Sequence, residues 1–243
     1  SGFFFSTDWD PKPGHFGIFS MIVGSLVVTA GAMIIGTVFG LGLAIVLTIF
    51  CPKELAAILK PLIELLAGIP SVVYGFIGVV TIVPFIRDYF GGPGLSVLAT
   101  SIVLGVMVLP TVTSISIDAL KSVPRSYWEG SIALGATEWQ STHMVMLKAA
   151  RSGIVAAIIL GMGRAVGETM AVIMVCGNTL EIPKSPLDPL RTLTSNIALE
   201  MGYATGEHRE ALFATAVTLF VIIMVLNIAA LTIARRGMVS SNR

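Results

Sequence analysis

Arg164 and Glu168 stand four residues apart in the run GMGRAVGETMAVIM, deep inside an apolar stretch that begins near Ala150 and ends near Gly177. On one continuous helix, that spacing places the guanidinium and the carboxylate one turn apart on a shared face. At the centre of a membrane span each such charge costs roughly 2.5–3.5 kcal/mol, while an exposed i,i+4 ion pair returns only ~0.2–0.5 kcal/mol. Two chemistries are open. The pair neutralises itself and locks the helix against a neighbour, or it faces a wet path and meets a charged solute. Thr169 extends the same polar patch. Ser71 supplies another in GIPSVVYG, where Gly68 and Pro70 break a simple helix. Such breaks are tolerated in a membrane only where backbone is buried or lines a cavity. Ser71 then either caps the broken helix and presents amides to an anion or bonds its own backbone.

The elements that carry these residues are set by composition. Hydrophobic residues make up 55% of the chain and charged ones 12%, against about 25% charged in an ordinary soluble domain. Lipid is the main solvent, and a net charge of +1 without a basic tail gives no sign of a nucleic-acid partner. Five apolar segments, 18–50, 69–87, 95–117, 150–177 and 211–234, meet the ~20 residues needed to cross the hydrocarbon. Between the first two lies PKELAAILKPLIELLAG, interrupted by Pro61, which reads as an interfacial elbow. Nine Lys and Arg residues fall on one side of the spans: Lys53, Lys60, Lys121, Arg125, Lys148, Arg151, Arg235, Arg236 and Arg243. Five fall on the other: Lys12, Arg87, Lys184, Arg191 and Arg209. The excess makes the first side cytoplasmic.

The organisation expected is therefore an external segment 1–17, a membrane domain 18–236 with an inside loop 121–149, and a cytoplasmic tail 237–243. An external amino-terminal segment without a signal-peptide pattern suggests a further span upstream. Cys51 and Cys176 sit at opposite ends of the spans and are expected as free thiols.

The inside loop SVPRSYWEGSIALGATEWQSTHMVMLKAAR has its own punctuation. Ser126 with Glu129 and Thr137 with Gln140 fit capping boxes, and Gly135 between them fits a left-handed helix stop. The expected product is a short helix, a sharp turn and a second helix feeding the fourth span, an exposed knob able to transmit a push.

Here the chain resembles a known family. Glu129, Gly135, Val145 and Leu147 fall at the spacing of the EAA motif of ABC importer permeases, E-A-A-x3-G-x9-I-x-L-P. Gly130 and Ser131 replace the two alanines, Val145 the isoleucine and Lys148 the proline, which bears on the bend entering the fourth span. Together with LLAGIPSVVYGF at 65–76 and GRAVGETMAVIMVCGN at 163–178, the loop is similar to the PstC-type permeases of phosphate importers.

The resemblance implies an all-α, polytopic membrane protein with a five-helix MetI-like core. It implies an ATPase-coupling surface at Glu129, Gly130, Ala133, Leu134, Gly135 and Ala136, and a substrate pathway at Arg164, Glu168, Ser71 and Thr169. It also implies a second permease of PstA type, two ATPase subunits of PstB type and an external phosphate-binding protein as partners. In that setting the arginine fork suits phosphate oxygens, and Glu168 would orient it. Another oxyanion, molybdate or sulfate, and a self-contained anion transporter or channel remain alternatives.

No catalytic or metal site is expected. There is no G-x4-G-K-[ST] phosphate loop, so ATP-Mg belongs to the partner subunits and the chain itself needs no cofactor. His15, His143 and His208 have no metal spacing, and the eleven Met residues read as adaptable packing. The long outside loop 178–209, with Pro183, Pro186 and Pro189, is either a contact for a delivery protein or an extended surface loop.

Overall fold

A computed structural model describes residues 2–239, with side chains described through 232. The side chains of Arg235 and Arg236 and the tail from 240 to Arg243 lie outside the described residues. A two-residue hairpin, Trp9–Asp10 paired with His15–Phe16, precedes the first span. Helix α1, Phe19–Ile45, runs on through a widened π turn, Val46–Phe50. Then come the elbow α2, Lys53–Ala67, the second span α3, Ser71–Phe90, and the third span α4, Val97–Lys121. The inside loop folds as α5, Arg125–Ala133, and α6, Glu138–Ala149. The fourth span is α7, Arg151–Gly167, followed by α8, Met170–Val175. The outside loop contributes α9, Leu193–Glu200, and the last span is α10, Gly206–Val239.

Among the described residues four helices are long and apolar enough to cross a membrane, and the bent pair α6 and α7 makes a fifth where it is counted as one span. The expected five spans are the upper end of that range, with the fourth bent and interrupted where one continuous segment, 150–177, was expected.

Close approach of small residues holds the bundle together, as it must where lipid removes the usual hydrophobic drive between helices. α1 packs along α4, and an added Cβ at Gly31 would overlap the Ser101 side chain, while one at Gly40 would lie 3.1 Å from Val112. Gly161 brings α7 onto the same helix, 2.8 Å from Val108 by the same test. Gly163 and Gly167 meet nothing, so only the first of these three glycines serves packing.

Two expectations need correction. The elbow is helical through Pro61 and is not broken there. It sits on α4 through buried Ile63 and a strap in which Lys60 reaches Asp118 at 2.7 Å and Glu64 at 3.7 Å.

The fourth span is not one continuous helix. It turns by 71° where α6 meets α7 at Ala150, so the bend survives Lys148 in place of proline. It is then cut again after Gly167, where Glu168 is extended (φ −69°, ψ 134°) and Thr169 lies outside the helical region. Glycines at 161, 163 and 167 weaken the helix here, and local partners take over the freed backbone groups. Thr194 donates to the Glu168 carbonyl at 2.8 Å, and the Glu168 carboxylate accepts from the Ala171 N–H at 3.2 Å. This is the condition under which non-helical backbone persists at membrane depth.

Candidate functional site

The break separates Arg164 from Glu168. Arg164 is on the last turn of α7, half-buried, and Glu168 is spent on capping α8. No ion pair joins them among the described residues, so the expectation of a one-turn pair, with Glu168 orienting the guanidinium, is not met. Arg164 instead reaches two neutral oxygens, the Thr111 hydroxyl of α4 at 3.5 Å and the Ala67 carbonyl at the end of the elbow at 3.3 Å. Both contacts are long for a charged donor, whose good hydrogen bonds fall near 2.7–2.9 Å. The neighbouring Leu66 carbonyl is taken by the Tyr74 hydroxyl at 2.7 Å. Arg164 therefore ties α7 to α4 and to the gap between the elbow and α3, without a carboxylate partner.

Ser71 and Thr169 occupy the two breaks. α3 starts at Ser71 with Pro70 as its cap residue, and the Ser71 side chain caps nothing. Thr169 precedes α8 and its hydroxyl bonds back to the Gly167 carbonyl at 3.3 Å. The two helices that begin at these breaks touch closely: a Cβ on Gly75 of α3 would lie 2.9 Å from the Ala171 Cα of α8. The four proposed pathway residues are thus gathered on two interrupted spans. Thr111 and Tyr74, missed in the sequence, join them from elements where a lone hydroxyl gives no signal.

The inside loop folds as a helical hairpin. Thr137 and Gln140 form the full capping box, with the Gln140 N–H donating to the Thr137 hydroxyl at 3.2 Å and the Thr137 N–H to the Gln140 side chain at 2.9 Å. Ser126 does not cap: α5 starts one residue earlier with Pro124 at the cap, and Glu129 pairs with Arg125 at 3.0 Å. Proline already supplies the helix entry, so the serine falls inside the first turn.

Gly135 has φ +88°, and the N–H groups of Gly135 and Ala136 close onto the carbonyls of Ile132 (2.9 Å) and Ser131 (3.1 Å), a Schellman stop. The Ser131 and Ser141 hydroxyls, 2.6 Å apart, join the two arms. The tip is apolar and open. Leu134 is 91% exposed and Trp139 60%, while Gly130, Ala133 and Gly135 are exposed beside them.

A second charged centre was not foreseen. Glu200 at the end of α9, 6% exposed, accepts from Arg191 at 2.8 Å, from the Trp9 indole at 2.9 Å, and meets His208 Nε2 at 2.8 Å. Arg191 also donates to Asn196 and to the Asn178 carbonyl. The outside loop is therefore a folded cap and not an extended surface loop: Leu193 bonds the Ser25 hydroxyl of α1, and Thr194 reaches the Glu168 break. The partners lie far apart in sequence on loops, where no periodicity marks them.

The family described as binding-protein-dependent transport system inner membrane component matches residues 36–237. YqgH of Bacillus subtilis (strain 168), a probable ABC transporter permease protein, is 50% identical over 200 residues, which are 82% of this chain. The chain spans 64% of that relative's length. The phosphate transport system permease protein PstC of Xylella fastidiosa (strain Temecula1) is 36% identical over 253 residues, covering 96% of this chain and 77% of the relative. Among solved structures, an inward-facing MetNI methionine ABC transporter chain superposes with a TM-score of 0.70 at 22% identity, covering 88% of this chain and 92% of that one. That last likeness speaks to fold alone.

Proposed function

The chain belongs to the family of binding-protein-dependent transport system inner membrane components, and from that premise we propose that it forms one half of the membrane pathway of an ATP-driven phosphate importer. The carrying observation is Arg164: a guanidinium on a membrane-spanning helix held, among the described residues, by long contacts to two neutral oxygens. A half-buried arginine in that state gains from an anion, and its planar fork matches the oxygens of phosphate. Relatives named as phosphate transport permeases, at 33–36% identity over most of the chain, support phosphate over other oxyanions. Glu168 takes a different role from the one its spacing implied. It holds the start of α8 and with it the break beside Arg164.

The inside hairpin is the coupling element in this reading. Its open apolar tip at Leu134 and Trp139 suits a groove on an ATPase subunit, and the 71° bend at Ala150 joins it directly to the helix that carries Arg164. ATP binding in two PstB-type subunits would draw this hairpin and that of a PstA-type permease together and switch access to Arg164. An external phosphate-binding protein would deliver the anion to the folded outer cap. Hydrolysis belongs to the ATPase subunits; this chain is a transport subunit. The Lys and Arg excess on the hairpin side supports a cytoplasmic address for the hairpin and an external one for 178–209.

The test is copurification of the assembled complex followed by radiolabelled phosphate uptake into vesicles. ATP-dependent uptake that unlabelled phosphate suppresses, and that equal sulfate or molybdate does not, is the expected result. Uptake by the chain without any ATPase subunit, or equal suppression by sulfate, would overturn the proposal.

A further inference from the structure

A cavity of about 420 Å³ opens where the π turn of α1, the elbow α2 and the last turn of α4 converge. Thr48, Cys51, Lys53, Lys60 and Lys121 supply its polar lining, and no carboxylate lines it. Lys60 is engaged with Asp118 and Glu64. Lys53 and Lys121 form no ion pair among the described residues, which leaves two free ammonium groups on one small cavity. The Thr48 hydroxyl is shielded from solvent and has no hydrogen-bond partner. Helical threonines elsewhere in this chain, Thr29, Thr113 and Thr215, return theirs to the carbonyl one turn back. Thr48 does not, although Thr81 and Thr142 in the other π turns do. That hydroxyl is closed to the cavity, so the groups an occupant can meet are the ammonium groups of Lys53 and Lys121.

The surround is apolar and unpartnered. Val46 and Phe50 on the π turn and Leu55 and Ile58 on the elbow are 44–62% exposed. An acceptor-rich anion in the cavity, with hydrocarbon against these residues, describes one kind of occupant. We infer that the cavity is a binding site for the headgroup of an anionic phospholipid of the inner leaflet, with Lys53 and Lys121 holding its phosphate and acyl chains lying along Val46 and Phe50. Juxtamembrane lysines attract anionic lipid of the cytoplasmic leaflet, and basic pockets between spans on that side are its natural docking places. Free phosphate shares the headgroup chemistry but has no use for the apolar skirt. The site also fixes the elbow, whose far end carries the Ala67 carbonyl that touches Arg164. The inference rests on the cytoplasmic address of Lys53, Lys60 and Lys121 proposed above.

The experiment uses the assembled complex in vesicles of phosphatidylcholine and phosphatidylglycerol at about 4:1, extracted gently, with retained lipid measured by mass spectrometry and phosphate uptake measured on the same vesicles. The parental complex is expected to retain phosphatidylglycerol in preference to phosphatidylcholine. Lys53→Gln with Lys121→Gln should lower that retention by roughly fivefold for each lysine removed. Thr48→Val, at a hydroxyl closed to the cavity, and Lys12→Gln with Lys184→Gln on the opposite side should leave it unchanged.

Equal retention of both lipids, retention unaffected by the Lys53/Lys121 double change, or displacement of phosphatidylglycerol by inorganic phosphate would each overturn the inference. Lysine-dependent retention in a complex that imports no phosphate would sink the importer reading and leave the lipid site standing. Uptake without lipid preference would do the reverse.

Discussion

Arg191 and Arg164 are the same residue type in the same bundle, and their surroundings differ in every respect that fixes the energy of a buried charge. Arg191 donates to a carboxylate, an amide oxygen and a backbone carbonyl at 2.8–3.0 Å, and its carboxylate, Glu200, is itself held by Trp9 and His208. Among the described residues Arg164 has two neutral oxygens, at 3.3 and 3.5 Å. A guanidinium with all its partners is an element of architecture, whereas one left short of partners has binding energy to give. The cap built on Glu200 is a structural centre, and the break in the fourth span is the one proposed to do the transporting.

The largest stability effect should come from the outer cap. Glu200→Gln leaves the Arg191 charge buried without its counter-ion, and breaking a buried pair in this way costs on the order of 3–5 kcal/mol. Thermal unfolding of the purified complex should show it, with a sharp fall in folded yield. If Glu200→Gln melts like the parent, Arg191 is no better anchored than Arg164 and the contrast collapses.

Gly135→Val comes next. A Cβ at Gly135 meets nothing within 4 Å, so the penalty is confined to a left-handed backbone and amounts to roughly 1–2 kcal/mol in the hairpin. Expected are normal membrane insertion, weakened ATPase retention and reduced uptake. Full uptake with parental ATPase stoichiometry would remove the hairpin from the coupling path.

Thr111→Val removes one long contact to Arg164 and should cost under about 1 kcal/mol, the net worth of a weak hydrogen bond. Uptake should fall modestly while unfolding barely shifts. A melting loss as large as that of Glu200→Gln would make Arg164 structural after all.

The smallest effect belongs to the elbow strap. Hydrogen bonding to Asp118 raises Lys60 above the ordinary lysine value, so its contribution is complete below that value and is lost only as pH rises through the higher folded one. The penalty of Lys60→Met, ~0.2–1 kcal/mol for so exposed a set of partners, should therefore be equal at about pH 6 and about pH 9. A penalty that shrinks within that window would assign the strap to another group.

The contrast between the two arginines also marks what the sequence could reveal. Four of the spans and the hairpin were legible because apolar run length, Thr137 with Gln140, and Gly135 are local signals with local physics. The pairing of Arg164 with Glu168 was misread for the opposite reason: an i,i+4 spacing carries meaning only on an unbroken helix. The cut after Gly167 is stabilised by Thr194 from a distant loop, and tertiary partners of that kind leave no mark at 164–168. Glu200 stayed hidden in the same way, since Trp9, Arg191 and His208 converge on it from three separate segments. Ser126 shows a smaller failure, a cap displaced by two residues because the helix already starts after Pro124.

Phosphate uptake per assembled complex, compared among Arg164→Gln, Arg164→Lys, Glu168→Gln and the Arg164→Met/Glu168→Leu double variant, tests the central claim most directly. The account predicts normal assembly and no uptake for Arg164→Gln, and impaired uptake for Arg164→Lys, because a point charge does not reproduce the fork. Glu168→Gln should transport at a reduced rate through a loosened break. The double variant should assemble and fail to transport. A double variant that imports phosphate at the parental rate would contradict the account and leave Arg164 without a part in the pathway.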